Sequence, residues 1–195
     1  AYQAALQPGE WENFLCALAE QTDSAVAGIH WTDKSNGSPV FVADTGLRGE
    51  GKKEYSEHFA KTCPRFQAAF RLRPGAVFVD YDVISEREMN RHELYEDFLP
   101  RQGLRYVAGI VAINDETQHC GFGAQRSRRQ GHFEGADLDL VRQVAPHVVR
   151  AVQMQKHLQT LSTATDSLTA ALDGLRLGVI FVDAVGRPVV MNRAA

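Results

Sequence analysis

Hydrophobic and polar residues are arranged in blocks that predict a helix, a hairpin, further helices, a second hairpin and a closing helix. Segment 8–21 carries hydrophobic residues at helical spacing. Two short strand candidates, 25–31 and 39–43, enclose a turn-forming segment, and two longer ones, 105–113 and 118–125, form the more convincing hairpin. This order predicts an α+β domain with an antiparallel sheet and flanking helices.

Short helices are expected between the two hairpins. The segment 55–70 has aromatic residues at helical spacing, and Pro64 should break or kink that helix. Ser85 and Glu88 have the spacing of a capping box, in which the serine oxygen caps the helix and the glutamate reaches back. A helix is therefore predicted over 86–99.

Four glycines, Gly28, Gly109, Gly121 and Gly123, lie inside the predicted strands. Glycine weakens a strand interior and often marks a place where something else comes close to the backbone. Two explanations stay open. A helix could pack tightly on the sheet at these positions, or a ligand could lie there.

The segment 136–172 contains no glycine and one proline, Pro146, and predicts a long helix. Its hydrophobic residues alternate by four and three positions over four heptads, which is the coiled-coil period. The first half has a broad apolar face that should pack on the chain's own sheet, but from Met154 onward the stripe narrows to two positions. We expect a parallel homodimer contact there, along Met154, Leu158, Leu161, Thr165, Leu168, Leu172 and Leu175.

Composition limits where this chain acts and what it binds. Of its 195 residues 44% are hydrophobic and 23% are charged, and this balance is typical of a folded domain in water. The net charge of −3 predicts no general attraction to nucleic acid or to an anionic membrane. Three widely spaced cysteines indicate a reducing compartment, and no apolar run is long enough to cross a bilayer. The expected location is the cytoplasm.

No pattern typical of catalysis or metal binding emerges. Serine-nucleophile and phosphate-loop motifs are missing, and the seven histidines form none of the usual metal-binding spacings. The basic cluster 126–130 lacks interleaved aromatic residues, so it is interpreted as a sheet-edge loop rather than a nucleic-acid site. We therefore expect that the chain is not an enzyme and that it binds no metal ion. The cofactor is unknown, and a non-covalent haem stays open.

The end of the chain has a recognisable order of residues. After Gly174 come Leu-Arg-Leu-Gly-Val-Ile-Phe-Val-Asp and then, from Gly186, Gly-Arg-Pro-Val-Val-Met-Asn. This order predicts a strand, a tight turn and a second strand, and it resembles the opening of a PAS domain. A two-stranded hairpin is marginal alone. Residues 175–195 are therefore expected to be the start of a truncated PAS-like domain, or a hairpin that borrows a surface from the dimer mate.

The preceding part resembles the GAF-like sensor half of proteobacterial LuxR-type helix-turn-helix regulators. The resemblance is carried by segments 77–89, 95–99, 103–106, 129–133 and 140–147. It implies a cytoplasmic small-molecule sensory and dimerisation region of a bacterial transcription regulator. In that family the order continues through a PAS segment into a DNA-binding domain. Here that domain is expected beyond residue 195, so DNA would be bound only by a part absent from this chain.

The resemblance also implies a division of the chain and a place for the ligand. It assigns 1–135 to a GAF-like sensor domain and 136–174 to a signalling and dimerisation helix. In such sensors the ligand lies over the sheet under short helices, here 55–70 and 86–99. Aromatic residues with polar tips suit a small, partly apolar ligand. The expected lining is Trp31, Phe66, Phe70, Tyr81, Met89, Tyr95 and Phe122.

Ligand occupancy is expected to change how the sheet and the short helices over it pack on the long helix, and so to shift the dimer contact. Two alternatives stay open. The same sensor could be attached to a kinase or to a cyclic-dinucleotide enzyme. It could also be a structural dimerisation module whose pocket is filled with side chains.

Overall fold

The computed structural model describes residues 1–47 and 50–195. The described chain divides into two compact units, Ala1–Gln153 and Met154–Ala195. The first unit is an α+β domain built on one antiparallel sheet, as the hydrophobic pattern predicts. The finer division at residues 135 and 174 stays a prediction.

A five-stranded sheet forms the centre of the first unit. Its spatial order is β2-β1-β5-β4-β3, with every neighbouring pair antiparallel. Both predicted hairpins are confirmed, because β1 pairs with β2 and β4 pairs with β5. The strands are β1 (Val26–Asp33), β2 (Pro39–Asp44), β3 (Val77–Val79), β4 (Tyr106–Asn114) and β5 (Gln118–Arg126).

One face of this sheet is covered by helices. These are α1 (Tyr2–Leu6), α2 (Glu10–Gln21) and the first part of α8 (Gly135–Asp173). Because strand side chains alternate between faces, Ile29 and Phe122 point into this core, where Trp11, Leu15 and Val148 are also buried. The spacing of Trp11 and Leu15 explains why α2 buries one stripe.

The opposite face lies under short helical pieces. The first group is α3 (Gly51–Glu54), a π-helical turn (Tyr55–Phe59), α4 (Ala60–Thr62) and α5 (Pro64–Ala69). The second group is a 3₁₀ turn (Asp80–Asp82), α6 (Glu86–Met89), a second π-helical turn (Leu94–Phe98) and α7 (Leu99–Gln102). We call these pieces the roof. The predicted break at Pro64 is confirmed, since Cys63 is extended and Pro64 begins α5.

The prediction of one helix over 86–99 is wrong. The capping box at Ser85 is present, but the helix it starts ends at Met89. The chain then turns, and the Leu94 backbone N–H donates to Nδ1 of His92 at 3.2 Å as the next helical piece begins. This local hydrogen bond lies at the turn that divides the segment into two pieces.

The second unit contains the end of α8 and a hairpin of β6 (Ile180–Val182) and β7 (Pro188–Met191). Asn192 joins the two: its Oδ1 accepts from the Val179 N–H at 2.7 Å, and its Nδ2 donates to the carbonyls of Leu172 and Leu177, each at 2.8 Å. The strands occur where the sequence predicts them, and their assignment to a PAS-like domain stays a prediction. No helix among the described residues is long and apolar enough to span a membrane.

Candidate ligand cavity

A cavity of about 100 Å³ lies between the open sheet face and the roof, within the first unit. One water molecule requires only about 10–15 Å³ of such space, so the cavity has room for a small molecule. Most of the wall is apolar, and polar groups come from a few positions, as is common in ligand sites. The lining residues are Gly28, His30, Phe41, Leu47, Tyr55, Arg65, Phe66, Ala69, Phe78, Phe98, Leu99, Val107, Gly109, Ile110, His119, Gly121, Phe122, Gly123 and Gln125.

The four strand glycines form the floor. Gly123 pairs with both Gly28 and Gly109, and Gly121 follows two positions away on the same face. A Cβ atom on Gly121 would lie 2.5 Å from Cε1 of His30, and one on Gly109 would overlap the Phe78 ring. Because these glycines have no side chains, space is left over the sheet. The rings of His30 and Phe78 occupy part of this space, and the remainder is the cavity.

Two imidazole rings, those of His30 and His119, stand together on this floor. Their centroids are 5.6 Å apart and their planes are 26° apart. His119 is fully buried. Neither of its ring nitrogens has a hydrogen-bond partner among the described residues, and the same holds for the buried Nε2 of His30.

Burial keeps both rings uncharged near neutral pH. It lowers the pKa of His30 to about 3, with a further lowering from the neighbouring His119. It lowers the pKa of His119 to about 4, helped by the positive charge of Lys34. The cavity therefore presents two neutral imidazoles, each with one N–H donor and one acceptor nitrogen.

Arg65 is the charged residue on the cavity wall, and the carboxylate of Asp80 neutralises it. Nε of Arg65 donates to Oδ1 of Asp80 at 2.5 Å, and the Tyr95 hydroxyl donates to the same oxygen at 2.6 Å. The second oxygen of Asp80 accepts from the Val107 N–H. Burial by itself would lower the pKa of Arg65, but the adjacent Asp80 carboxylate raises it overall. The pair joins two pieces of the roof with no net charge, and the hydrogen bond from Val107 of β4 to Asp80 ties it to the sheet.

Of the seven residues predicted to line the pocket, Phe66 and Phe122 border the cavity. Phe122 borders it between two glycines, while its ring packs on the other face at 5.8 Å from Phe14. Phe70 lies just behind the wall, with its ring 4.6 Å from Phe66 and 4.9 Å from His119.

The other four predicted residues lie away from the cavity wall. Trp31 packs on the opposite sheet face, because the alternation that points His30 inward points its neighbour outward. Tyr81 is 48% exposed, and its hydroxyl donates to the Phe133 carbonyl. Met89 is buried within the roof, and Tyr95 bonds to Asp80 behind the wall.

Sequence reasoning missed His30, His119 and Arg65 as cavity residues. A signal for the histidines was present, since both share strand parity with floor glycines, at 28 and 30 in β1 and at 119, 121 and 123 in β5. Among the described residues no group of three or more His, Cys, Asp or Glu side chains is placed to hold a metal ion.

The residues of the predicted dimer contact lie along the second half of α8 and at its end. Leu161 is 51% exposed and Leu168 is 67% exposed. Met154, Leu158, Thr165 and Leu175 are also exposed, and Leu172 is half-buried. The dimer contact itself stays a prediction.

Comparison with solved structures shows which fold this is. Neither a protein-family model nor a curated protein matches the chain. The LBD domain of VqsR from Pseudomonas aeruginosa is 15% identical, with a TM-score of 0.67 over 80% of this chain and 91% of that one.

Two further structures have lower TM-scores. A domain described as part of a two-component sensor histidine kinase from Sinorhizobium meliloti 1021 is 16% identical, with a TM-score of 0.53 over 77% of this chain and 92% of that one. The GAF domain of a phosphoenolpyruvate-protein phosphotransferase from Coxiella burnetii is 15% identical, with a TM-score of 0.52 over 76% and 83%. The chain therefore has a GAF-like fold: an antiparallel sheet with flanking helices and a long C-terminal helix.

Proposed function

We propose that this chain is the small-molecule sensing and dimerisation region of a cytoplasmic bacterial transcription regulator. The observation that carries the proposal is the cavity, in which a fully buried His119 presents two ring nitrogens without protein partners. A buried polar group without a partner costs free energy, so a bound molecule that supplies one is favoured. The likeness to the VqsR LBD domain and the sequence resemblance to LuxR-type regulators support this class of protein.

The second half of α8 is the proposed dimer contact, and its partner is a second copy of this chain. The leucines exposed there repeat at the four-and-three spacing that packs one helix against an identical helix. Thr165 interrupts the row, and its hydroxyl donates to the Leu161 carbonyl. Such a contact has only moderate stability, which suits a helix that must change its packing.

The sheet provides a physical connection between the ligand and α8. Neighbouring residues of β5 point to opposite faces: His119 reaches the cavity, while Cys120 belongs to the core that contains Val148 and Ala151 of α8. A ligand that displaces His119 therefore changes packing on the first part of the helix. We propose that this change passes along α8 to the dimer contact.

Native mass spectrometry of the full chain tests the sensor proposal. We expect a dimer that carries an added small-molecule mass, which is lost on denaturation. Gly123→Val, which fills the floor, should lose the added mass. A wild type without added mass would favour the alternative of a filled, non-binding module, whereas the same mass retained by Gly123→Val would show that the molecule binds outside this cavity.

The dimer proposal is tested separately by light scattering. Leu161→Asp places a charge in the proposed contact and should yield monomers, whereas Thr163→Asp, on the opposite side of the heptad, should remain dimeric. A monomeric wild type would exclude this contact.

A kinase-associated sensor remains the second candidate. It is favoured by one observation, the fold shared with the Sinorhizobium meliloti histidine-kinase domain. The domain fused to this region in the parent gene distinguishes the two.

A further inference from the structure

Hydrogen-bonding atoms without protein partners are concentrated at one end of the cavity. They are Nδ1 and Nε2 of His119 and Nε2 of His30. Two more lie beside them in the sheet, since Thr32 and Asn114 are both in register with His119. Oγ1 of Thr32 and Oδ1 of Asn114 are buried and have no partner among the described residues. We call these four residues the histidine end; His30 and His119 line the cavity, and Thr32 and Asn114 lie beside them in the sheet.

The histidine end requires a group that can both donate and accept. A neutral imidazole has one N–H and one bare nitrogen, so His119 alone offers a donor and an acceptor. A buried polar atom left without a partner destabilises the protein, so a ligand that supplies the partner is favoured. An amide or a hydroxyl group satisfies both kinds of atom, whereas a purely apolar group satisfies neither.

The cavity wall offers no net charge for an ionic ligand. Arg65 is paired with Asp80, and that carboxylate is already fully used by the Tyr95 hydroxyl and the Val107 N–H. The two imidazoles are uncharged at neutral pH. An anion or a cation placed here would lose its hydration without gaining an opposite charge from the wall itself, because Lys34, whose positive charge acts on His119, is not a lining residue.

The remainder of the cavity favours a flat apolar body. Phe41, Phe66, Phe78 and Phe98 line the cavity together with the glycines of the floor. Rings pack well against other rings and against the flat backbone that glycines expose.

We propose that the cavity takes an uncharged, flat, largely apolar ligand whose amide- or hydroxyl-type group lies at the histidine end. This inference deepens the proposed sensor function and rests on it. It specifies the chemistry of the ligand: an aromatic body with one polar group that both donates and accepts, and no carboxylate, phosphate or amine.

Four probes of similar size test this assignment: benzamide, benzoate, benzylamine and toluene. Any molecule that copurifies with the full chain is first removed by unfolding and refolding, and binding is then measured by isothermal titration at pH 7. We expect benzamide to bind, toluene to bind about 5–10-fold more weakly because it cannot hydrogen-bond, and the two ions not to bind.

Substitutions at the histidine end separate hydrogen bonding from loss of the fold. His119→Leu should weaken benzamide about 5–10-fold and leave toluene unchanged or slightly tighter. His30→Leu should also weaken the binding of benzamide. His157→Gln, at an exposed position of α8, should leave both affinities unchanged. Retained toluene binding shows that the cavity of each variant is folded.

Three results would overturn the assignment: benzoate or benzylamine binding tightest, equal affinity for benzamide and toluene, or no effect of His119→Leu on benzamide. Absence of binding by all four probes overturns it as well. If native mass spectrometry still finds a bound molecule in that case, the sensor function stands and only the ligand class fails. If it finds none, both fail.

Discussion

Acidification should destabilise the first unit through its two buried imidazoles. The pKa values of His30 and His119 are lowered to about 3 and about 4, whereas an unfolded histidine titrates near 6.5. Below pH 6.5 the unfolded chain binds protons that the folded chain refuses. By linkage, the free energy of unfolding must therefore fall as the pH falls from about 6.5 toward 4.

The expected size follows from the same values. A pH of 5 lies about 1.5 units below the pKa of an unfolded histidine. Protonation of the unfolded state therefore lowers the free energy of unfolding by about 2 kcal/mol for each ring that stays uncharged in the folded state. Both rings together should cost about 4 kcal/mol relative to pH 7.5. Most carboxylates titrate at lower pH, so the window from pH 6.5 to 5 isolates the histidines.

Urea unfolding followed by tryptophan fluorescence measures this effect, because both tryptophans, Trp11 and Trp31, lie in the first unit. The double variant His30→Leu/His119→Leu should lose most of the dependence between pH 7.5 and 5, and His157→Gln should keep it. A wild type equally stable at pH 7.5 and 5 would refute the reasoning, as would an unchanged slope in the double variant.

Two further substitutions test the walls of the cavity by the same unfolding measurement. Asp80→Asn leaves the buried guanidinium of Arg65 without its counter-charge and should lower the free energy of unfolding by about 3–5 kcal/mol. Asp139→Asn, which breaks an exposed ion pair, should have little effect. Equal effects of the two substitutions would contradict the assigned role of the buried pair. Gly121→Ala forces the His30 ring to move and should destabilise, whereas Gly123→Ala meets only an ordinary contact at 3.4 Å and should be neutral or stabilising by up to about 1 kcal/mol. The opposite ranking would show that the floor is not constrained in this way.

The elements of the fold could be predicted because their signals are local. Alternation and turn residues located β4 and β5 to within a residue, and Pro64 broke the roof where its missing N–H requires. The capping box at Ser85 was likewise visible, although the helix it begins stops after one turn. The helix stops before a turn in which His92 accepts from the Leu94 N–H, a contact that the hydrophobic spacing does not reveal.

The cavity lining could not be predicted in the same way, because it depends on pairing between distant strands. Trp31 and His30 are adjacent in sequence, yet their side chains lie on opposite faces of the sheet, so that His30 lines the cavity and Trp31 does not. The contact between His30 and His119 joins residues 89 positions apart and exists only in the paired register of β1 and β5. Because 86–99 is not one helix, the directions of Met89 and Tyr95 did not follow from helical spacing.

Asn192 has a consequence for how motion leaves the long helix. Its side-chain Nδ2 donates to the Leu172 carbonyl in the last turn of α8. Its backbone N–H donates to the Val179 carbonyl, and its Oδ1 accepts from the Val179 N–H, just before β6. A second tie runs from the Arg193 N–H to Oδ1 of Asp173. These hydrogen bonds tie the end of α8 to the hairpin. We therefore expect a rotation of the helix end about its axis to carry the exposed apolar strands with it, with the largest displacement at the tip of the hairpin.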